Sequence, residues 1–306
     1  MGHMMLEGFR ASDGEPWFMP LGGTLDLPQL FQGPIPKDQL EDLQLWSALQ
    51  AIARTKGTPH PLSVRPMIPD PPDRIIAYNA REWRTELTEL TIEDIRGDLA
   101  RIRSIGRQLQ EQLREHPSNY RHLNGRAVML AKLDGQDLPK DTRQLKSEIA
   151  DALAEDKGFV GQDIGSGPDL SRGSYDVPQP FAVTVNQTSQ KDPVIVSATS
   201  QTMLFRSEVV GALGLRVTEK DLPQNEIVVI SCGLPDKQGY VCPFDHAIFL
   251  TLQRAVSEGV DILPNSRKHL RGGLIHLWDT AQIITWKESE GDDFPWDVSP
   301  SGACQE

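Results

Sequence analysis

The sequence predicts an α+β protein. A mainly helical N-terminal half, with a long helix of about three heptads, precedes a C-terminal half of mixed antiparallel sheet and helix. Three observations lead there. Apolar residues recur at helical spacing between positions 38 and 157. Glycines and prolines then gather between positions 158 and 178, and short β-branched runs follow them. Helices first and strands second argue against a doubly wound βαβ sheet.

Residues 1–37 read as an extended, proline-rich arm. Pro16, Pro20, Pro28, Pro34 and Pro36 interrupt any helix or ladder. Phe9, Trp17, Phe18 and Phe31 give the arm an apolar side, to lie on its own chain or on a neighbour's. Met1-Gly2-His3-Met4 reads as an added leader, with the natural start near Met4 or Met5. Asp38 to Ala53 is the first helix, with Glu41 placed as in a capping box. Leu40, Leu43, Leu45, Trp46, Leu49 and Ile52 form its apolar stripe. Residues 57–73 hold six prolines and read as a linker inside a helical region of residues 38–157.

The strongest periodic signal runs from Thr85 or Thr91 to Glu115. Ile92, Ile95, Leu99, Ile102, Ile105, Leu109 and Leu113 recur with a mean step of 3.5 residues, the heptad period. This suits either a short coiled coil or one helix of an intramolecular hairpin, and the hairpin is favoured. Arg126–Leu133 reads as a short helix, and another runs from Asp141 or Thr142 to about Glu155. In the α+β region of residues 158–287, Phe181–Asn186 and Val194–Ala198 read as a hairpin. Met203–Leu213 is open between helix and strand, and Glu226–Ser231 reads as a buried strand. His246–Glu258 is a helix ended by Gly259, and Leu274–Trp278 with Gln282–Trp286 is a second hairpin. Residues 288–306 are an acidic tail.

The net charge is −12, and the last 19 residues contribute 6 acids and no base. The remaining body is near neutral, so no broad nucleic-acid surface is expected. No apolar run reaches the roughly 18 residues of a membrane span. Three cysteines, Cys232, Cys242 and Cys304, make no disulfide framework, and a reduced, cytoplasmic protein is expected. The ten-residue separation of Cys232 and Cys242 fits neither C-x-x-C nor a zinc knuckle, and no metal site is expected.

Asp163-Ile164-Gly165-Ser166-Gly167-Pro168-Asp169 resembles motif I of the Rossmann-like methyltransferases. That resemblance implies S-adenosylmethionine as cofactor. The same residues read as a flexible connector, because Pro168 and Gly173 break the helix that should follow. Beyond it the sequence assigns no cofactor.

Asp245, His246 and His276 are the catalytic candidates: a histidine base with an orienting carboxylate. Ser231 or Cys242 is the nucleophile such a base needs. In the plainer reading Asp245 is a helix cap, and His276 is a half-buried strand histidine. Arg267, Lys268 and Arg271 are the anion-binding candidates, with the Gly272 and Gly273 N–H groups helping, or else a solvated loop. Trp278, Trp286 and Trp296 are candidate interface anchors, and core packing would explain the first two as well.

Three functions follow. The favoured one is a non-enzymatic interaction or assembly protein, with a protein partner or self-association. The alternative is an α+β enzyme using Asp245, His246 and His276 with the basic loop at 267–271. The weaker alternative is the methyltransferase.

Overall fold

The computed structural model describes residues 5–9, 12–20, 25–26, 35–56, 63–66, 72–78, 81–133, 136–139, 141–155, 160–163, 171–175, 177, 179–187, 194–200, 203–235, 240–264, 267–278, 280, 282–288 and 294–296. In chain order come β1 (Met5–Phe9), β2 (Pro16–Pro20), β3 (Leu25–Asp26), α1 (Lys37–Lys56), β4 (Ser63–Pro66), β5 (Arg74–Tyr78) and β6 (Arg81–Glu89). Next are α2 (Glu93–Glu115), a 3₁₀ segment (Pro117–Leu123), β7 (Arg126–Lys132), α3 (Arg143–Glu155), β8 (Val160–Asp163), β9 (Ser171–Tyr175), β10 (Phe181–Gln187) and β11 (Val194–Ser200). Last are β12 (Leu204–Phe205), α4 (Arg206–Lys220), β13 (Ile227–Cys232), β14 (Tyr240–Val241), α5 (Pro243–Ser257), β15 (Gly272–Leu277) and β16 (Ile283–Lys287). Fold class is mixed α and β, with a mixed sheet. No described helix is long and apolar enough to cross a membrane.

The chain divides into two compact units that interleave along the sequence: Met1–Leu25 with Ile92–Leu204, and Asp26–Thr91 with Phe205–Glu306. The expected linker at 57–73 and the composition change at 158 both fall inside a unit.

In the first unit the apolar stripe of α2 is buried: Ile95, Leu99, Ile102, Ile105, Leu109 and Leu113. Ile102, Ile105, Leu109 and Leu113 share one core with Val128 and Leu130 of β7, Leu145, Ile149 and Leu153 of α3, and Phe181, Val183 and Val185 of β10. The stripe is therefore covered by its own unit, and the coiled coil is not shown. The sheet runs β11-β7-β10-β9-β8.

Here the sequence reading needs three corrections. Arg126–Lys132 is a strand, because the buried Val128, Leu130 and Lys132 alternate with half-buried neighbours at period two. That strand separates the two halves of the expected hairpin: β10 pairs with β7 antiparallel and β11 pairs with β7 parallel. The arm also contains structure, since β1 and β2 pair antiparallel from Met5↔Pro20 to Phe9↔Pro16, with prolines at the strand ends.

The second unit is a six-stranded sheet, β16-β15-β13-β6-β5-β4. The β6–β13 and β13–β15 pairs are parallel, and the outer pairs are antiparallel. A parallel pair needs a crossover, and α5 supplies it between β13 and β15. The expected antiparallel C-terminal sheet is corrected by this: the sheet is mixed, with one β13–α5–β15 crossover. The parallel partner of β13 is β6, read in the sequence as the start of a helix at Thr85. The mainly helical N-terminal half is corrected by the same strands: β4, β5, β6 and β7 all lie in it.

Helix α1 covers one face of this sheet. Leu45, Ala48, Leu49 and Ile52 pack with Ile76, Trp83, Leu87, Ile227, Val229 and Leu274. The buried Arg74 of β5 ties it down through Glu41 (2.9 Å) and Asp42 (2.9 Å). The chain end adds Phe294, stacked on Trp83 (centroids 4.7 Å) and on Trp296 (5.4 Å). Trp296, an interface candidate in the sequence, is 2% exposed and belongs to this core.

Gly272 and Gly273 receive aromatic rings. A Cβ on Gly272 would meet Phe294 Cε1 at 2.7 Å, and one on Gly273 would overlap the Trp286 indole. The glycines lie where close approach forbids a side chain.

Candidate functional site

The carboxyl ends of parallel strands are where open α/β sheets place their sites. At that edge Glu89, Ser231 and His276 stand in one row across β6, β13 and β15. Alternation along the strands puts Ser231 and His276 on the face of Val229 and Leu274, beneath α1. Ser231 Oγ and His276 Nε2 are hydrogen-bonded, and both residues are fully buried. His276 Nδ1 has no hydrogen-bond partner among the described residues.

That asymmetry bears on the tautomer. A buried N–H without an acceptor is costlier than a bare lone pair. The cheaper arrangement protonates Nε2, which donates to Ser231 Oγ and leaves Nδ1 as the bare atom. A base that activated the serine would need the opposite tautomer.

Desolvation pushes the His276 pKa down to about 3. The imidazole is thus neutral throughout the physiological range, far below the poise of an efficient general base. Helix α1 closes the site from above. Buried Gln44 donates its Nε2 to Thr88 O (2.6 Å) and Val229 O (3.2 Å). Ser47 Oγ donates to Trp278 O at 2.9 Å.

A pH dependence follows. The unfolded histidine binds its proton near pH 6.5, whereas the folded one waits until about 3. The unfolded state therefore holds more protons in that window, and stability falls as pH drops through it. Each pH unit below 6.5 costs about 1.4 kcal/mol from this group. Between pH 7 and pH 5 the wild type should lose about 2 kcal/mol more than His276→Gln, read from urea midpoints. Equal losses would show that His276 carries no such linkage.

Asp245 and His246 lie elsewhere. Alternation turns Cys232 to the opposite face from Ser231, and α5 packs on β13 and β15 there. Its N-cap is Cys242 and Pro243 follows, so Asp245 sits in the first turn instead of capping it. Asp245 and His246 are both buried. Burial, then the carboxylates of Asp245 and Glu89, push the Cys232 thiol well above its ordinary pKa. A thiol so placed is inert. His276 is therefore not joined to the other two catalytic candidates: its Nε2 meets Ser231, and its Nδ1 meets neither Asp245 nor His246.

The basic loop binds an anion of its own. Lys268, His269 and Leu270 donate backbone N–H groups to the Asp221 carboxylate at 2.7, 2.7 and 2.8 Å. Burial pushes that carboxyl up, but the three N–H groups and His269 outweigh it and hold it below the usual range. Arg267 donates to Glu288 (3.2 Å) and to Pro264 O (2.9 Å), and the Arg271 N–H donates to Glu226 O (2.8 Å). The nest of N–H groups is at 268–270, not at Gly272 and Gly273. Asp221→Asn should cost about 1–2 kcal/mol, because hydrogen bonds to a charged acceptor are the stronger kind. A change in urea midpoint worth under a few tenths of that figure would show that the nest carries little load.

No group of metal-ligating side chains gathers among the described residues. Asp163 ends β8, and Ile164–Asp169 lie outside the described residues, as do Cys304 and the tail beyond Trp296. Sequence reasoning named Ser231 as a nucleophile but did not pair it with His276, and it missed Gln44. The signal for that pairing is the shared register of two buried strands. No family model, curated protein or solved structure matched the chain.

Proposed function

We propose that the protein works by binding another polypeptide, as an interaction or assembly protein, and not by catalysis. The observation that carries this reading is strand β16, the outermost strand of the six-stranded sheet. Natural sheets blunt their edges with short strands, proline or bulges, because an open edge is a template for another strand. The opposite edge, β4, is four residues long and ends in Pro66. β16 carries no proline, and Ile283, Ile284, Thr285 and Trp286 are β-branched or aromatic; its one charged residue, Lys287, stands at its end. Strand addition uses such an edge. The neutral, buried state of Ser231 and His276 accords with a non-catalytic role.

A photo-crosslinking residue in place of Thr285 tests the reading. It should join the chain to another polypeptide in extracts, a second copy included. Absence of any crosslink from that position would sink it.

A second reading rests on the Ser231–His276 hydrogen bond. In it the pair is the nucleophile and base of a hydrolase whose α1 helix moves aside. A serine-directed fluorophosphonate that labels Ser231 in the native chain would favour this reading over the first.

A further inference from the structure

We infer that the second unit carries a groove for a short aromatic–proline–aromatic peptide. Phe294-Pro295-Trp296 is its built-in occupant. A partner polypeptide that presents the same triplet takes the groove by displacing it. The inference stands on the packing around Phe294, and not on the reading of β16 as a binding edge.

The segment is held as a docked peptide is held. Phe294, Pro295 and Trp296 are buried, yet they lie in no strand or helix. They make no hydrogen bond to any described residue. Framework chain at that depth spends its backbone groups on a ladder or a helix. Among the described residues, rings do the holding: Phe294 stacks on Trp83 with 24° between the planes, and on Trp296 with 18°. Large aromatic side chains seated in a desolvated pocket are the anchors of bound polypeptides.

The seat is built for a ring. Ile227 of β13 is in register with Gly272 of β15 and with Thr85 of β6. Gly272 and Trp83 therefore stand at the amino ends of the parallel strands, away from Ser231 and His276. A Cβ at position 272 would lie 2.7 Å from Phe294 Cε1 and 2.9 Å from its Cζ. Glycine leaves the hollow that the ring fills. The Arg81 guanidinium lies 3.6 Å from the centroid of the Trp83 ring, a cation–π contact that steadies the indole. The resident occupant leaves one group unmet. Trp83 Nε1 is buried with no acceptor among the described residues. A buried donor left unmade is costly. The tail has the advantage of its tether, and an acceptor for that N–H is what a partner peptide has to set against it.

The test uses the full chain carrying Phe294→Ala and Trp296→Ala together, which withdraws both anchors, and a labelled synthetic peptide of residues 289–300. Fluorescence anisotropy should show the peptide binding this variant at least about tenfold tighter than the wild type, whose groove its own tail holds. The same peptide with Phe294→Ala should not bind. If the double variant does not fold alone, the unaltered peptide should restore a cooperative urea transition and the altered one should not. A variant that neither binds the peptide nor is restored by it would overturn the inference, because 294–296 is then framework. Equal binding to variant and wild type would overturn it too. The displacement is read on the wild type, with triplet peptides whose flanking positions carry Asp or Asn as acceptors. At least one should bind below about 1 mM, the order of a tethered segment's effective concentration. If none does, the tail is a permanent plug and the inference fails. A crosslink from position 285 is unaffected by any of these results.

Discussion

Gly273→Ala should destabilise the second unit by about 2–3 kcal/mol, although the change adds one methyl group. Gly273 and Trp286 are register partners on adjacent strands, and the indole occupies the space a Cβ needs. An added methyl on Gly273 would lie about 2 Å from the Trp286 ring, so the indole must be displaced to admit it. Urea midpoints would measure the loss. Trp286→Ala in the same chain should recover part of it, because the ring that clashes is then gone. A Gly273→Ala protein as stable as wild type would mean that the indole has another place to sit.

Ile102→Asp should be more damaging still. Ile102 is fully buried among α2, α3, β7 and β10. The buried cation of β7, Lys132, is already paired with Asp98 at 2.7 Å, so the new carboxylate must be desolvated unpaired or take up a proton. A loss of about 4–5 kcal/mol is expected, in the rare tail of single substitutions. Hydrogen exchange across β7 and β10 would report it as lost protection. Gln108→Asp, on the exposed side of the same helix, should stay within about 0.5 kcal/mol of wild type. Equal effects from the two would refute the assignment of the stripe to the core.

What the sequence disclosed follows from the range of the interactions. Leu145, Ile149 and Leu153 of α3, the apolar run of β13 and the β15–β16 hairpin were all legible, because each is defined within about fifteen residues. Gly259 was legible as a helix stop and has φ 76°. β7 was not. Ala127, Met129 and Ala131 lie on its second face, and apolar residues on both faces hide the two-residue period that a half-exposed strand would show. β6 was not, because Thr85 looked like a helix start and the strand's parallel partner stands far downstream. The site failed for the same reason. Asp245 and His246 are adjacent in sequence and drew attention, whereas Ser231 and His276 are forty-five residues apart and meet through strand register. The basic loop drew attention as a cation cluster. Its backbone, together with Asp221 forty-seven residues before Lys268, makes the anion site instead.

The interleaving of the two units sets a clock on synthesis. β6 ends at Glu89 and its parallel neighbour β13 begins at Ile227, with Ile92–Leu204 assigned to the other unit between them. At about 5–20 residues per second, a ribosome takes roughly 7–28 s to supply the second strand after the first. Through that interval β6 has β5 on one side and an open flank on the other. The nascent chain must keep Leu87 and Trp83 out of wrong pairings until β13 arrives. A chaperone that holds extended apolar segments has its longest opportunity there, and slow codons placed in 92–204 would lengthen it.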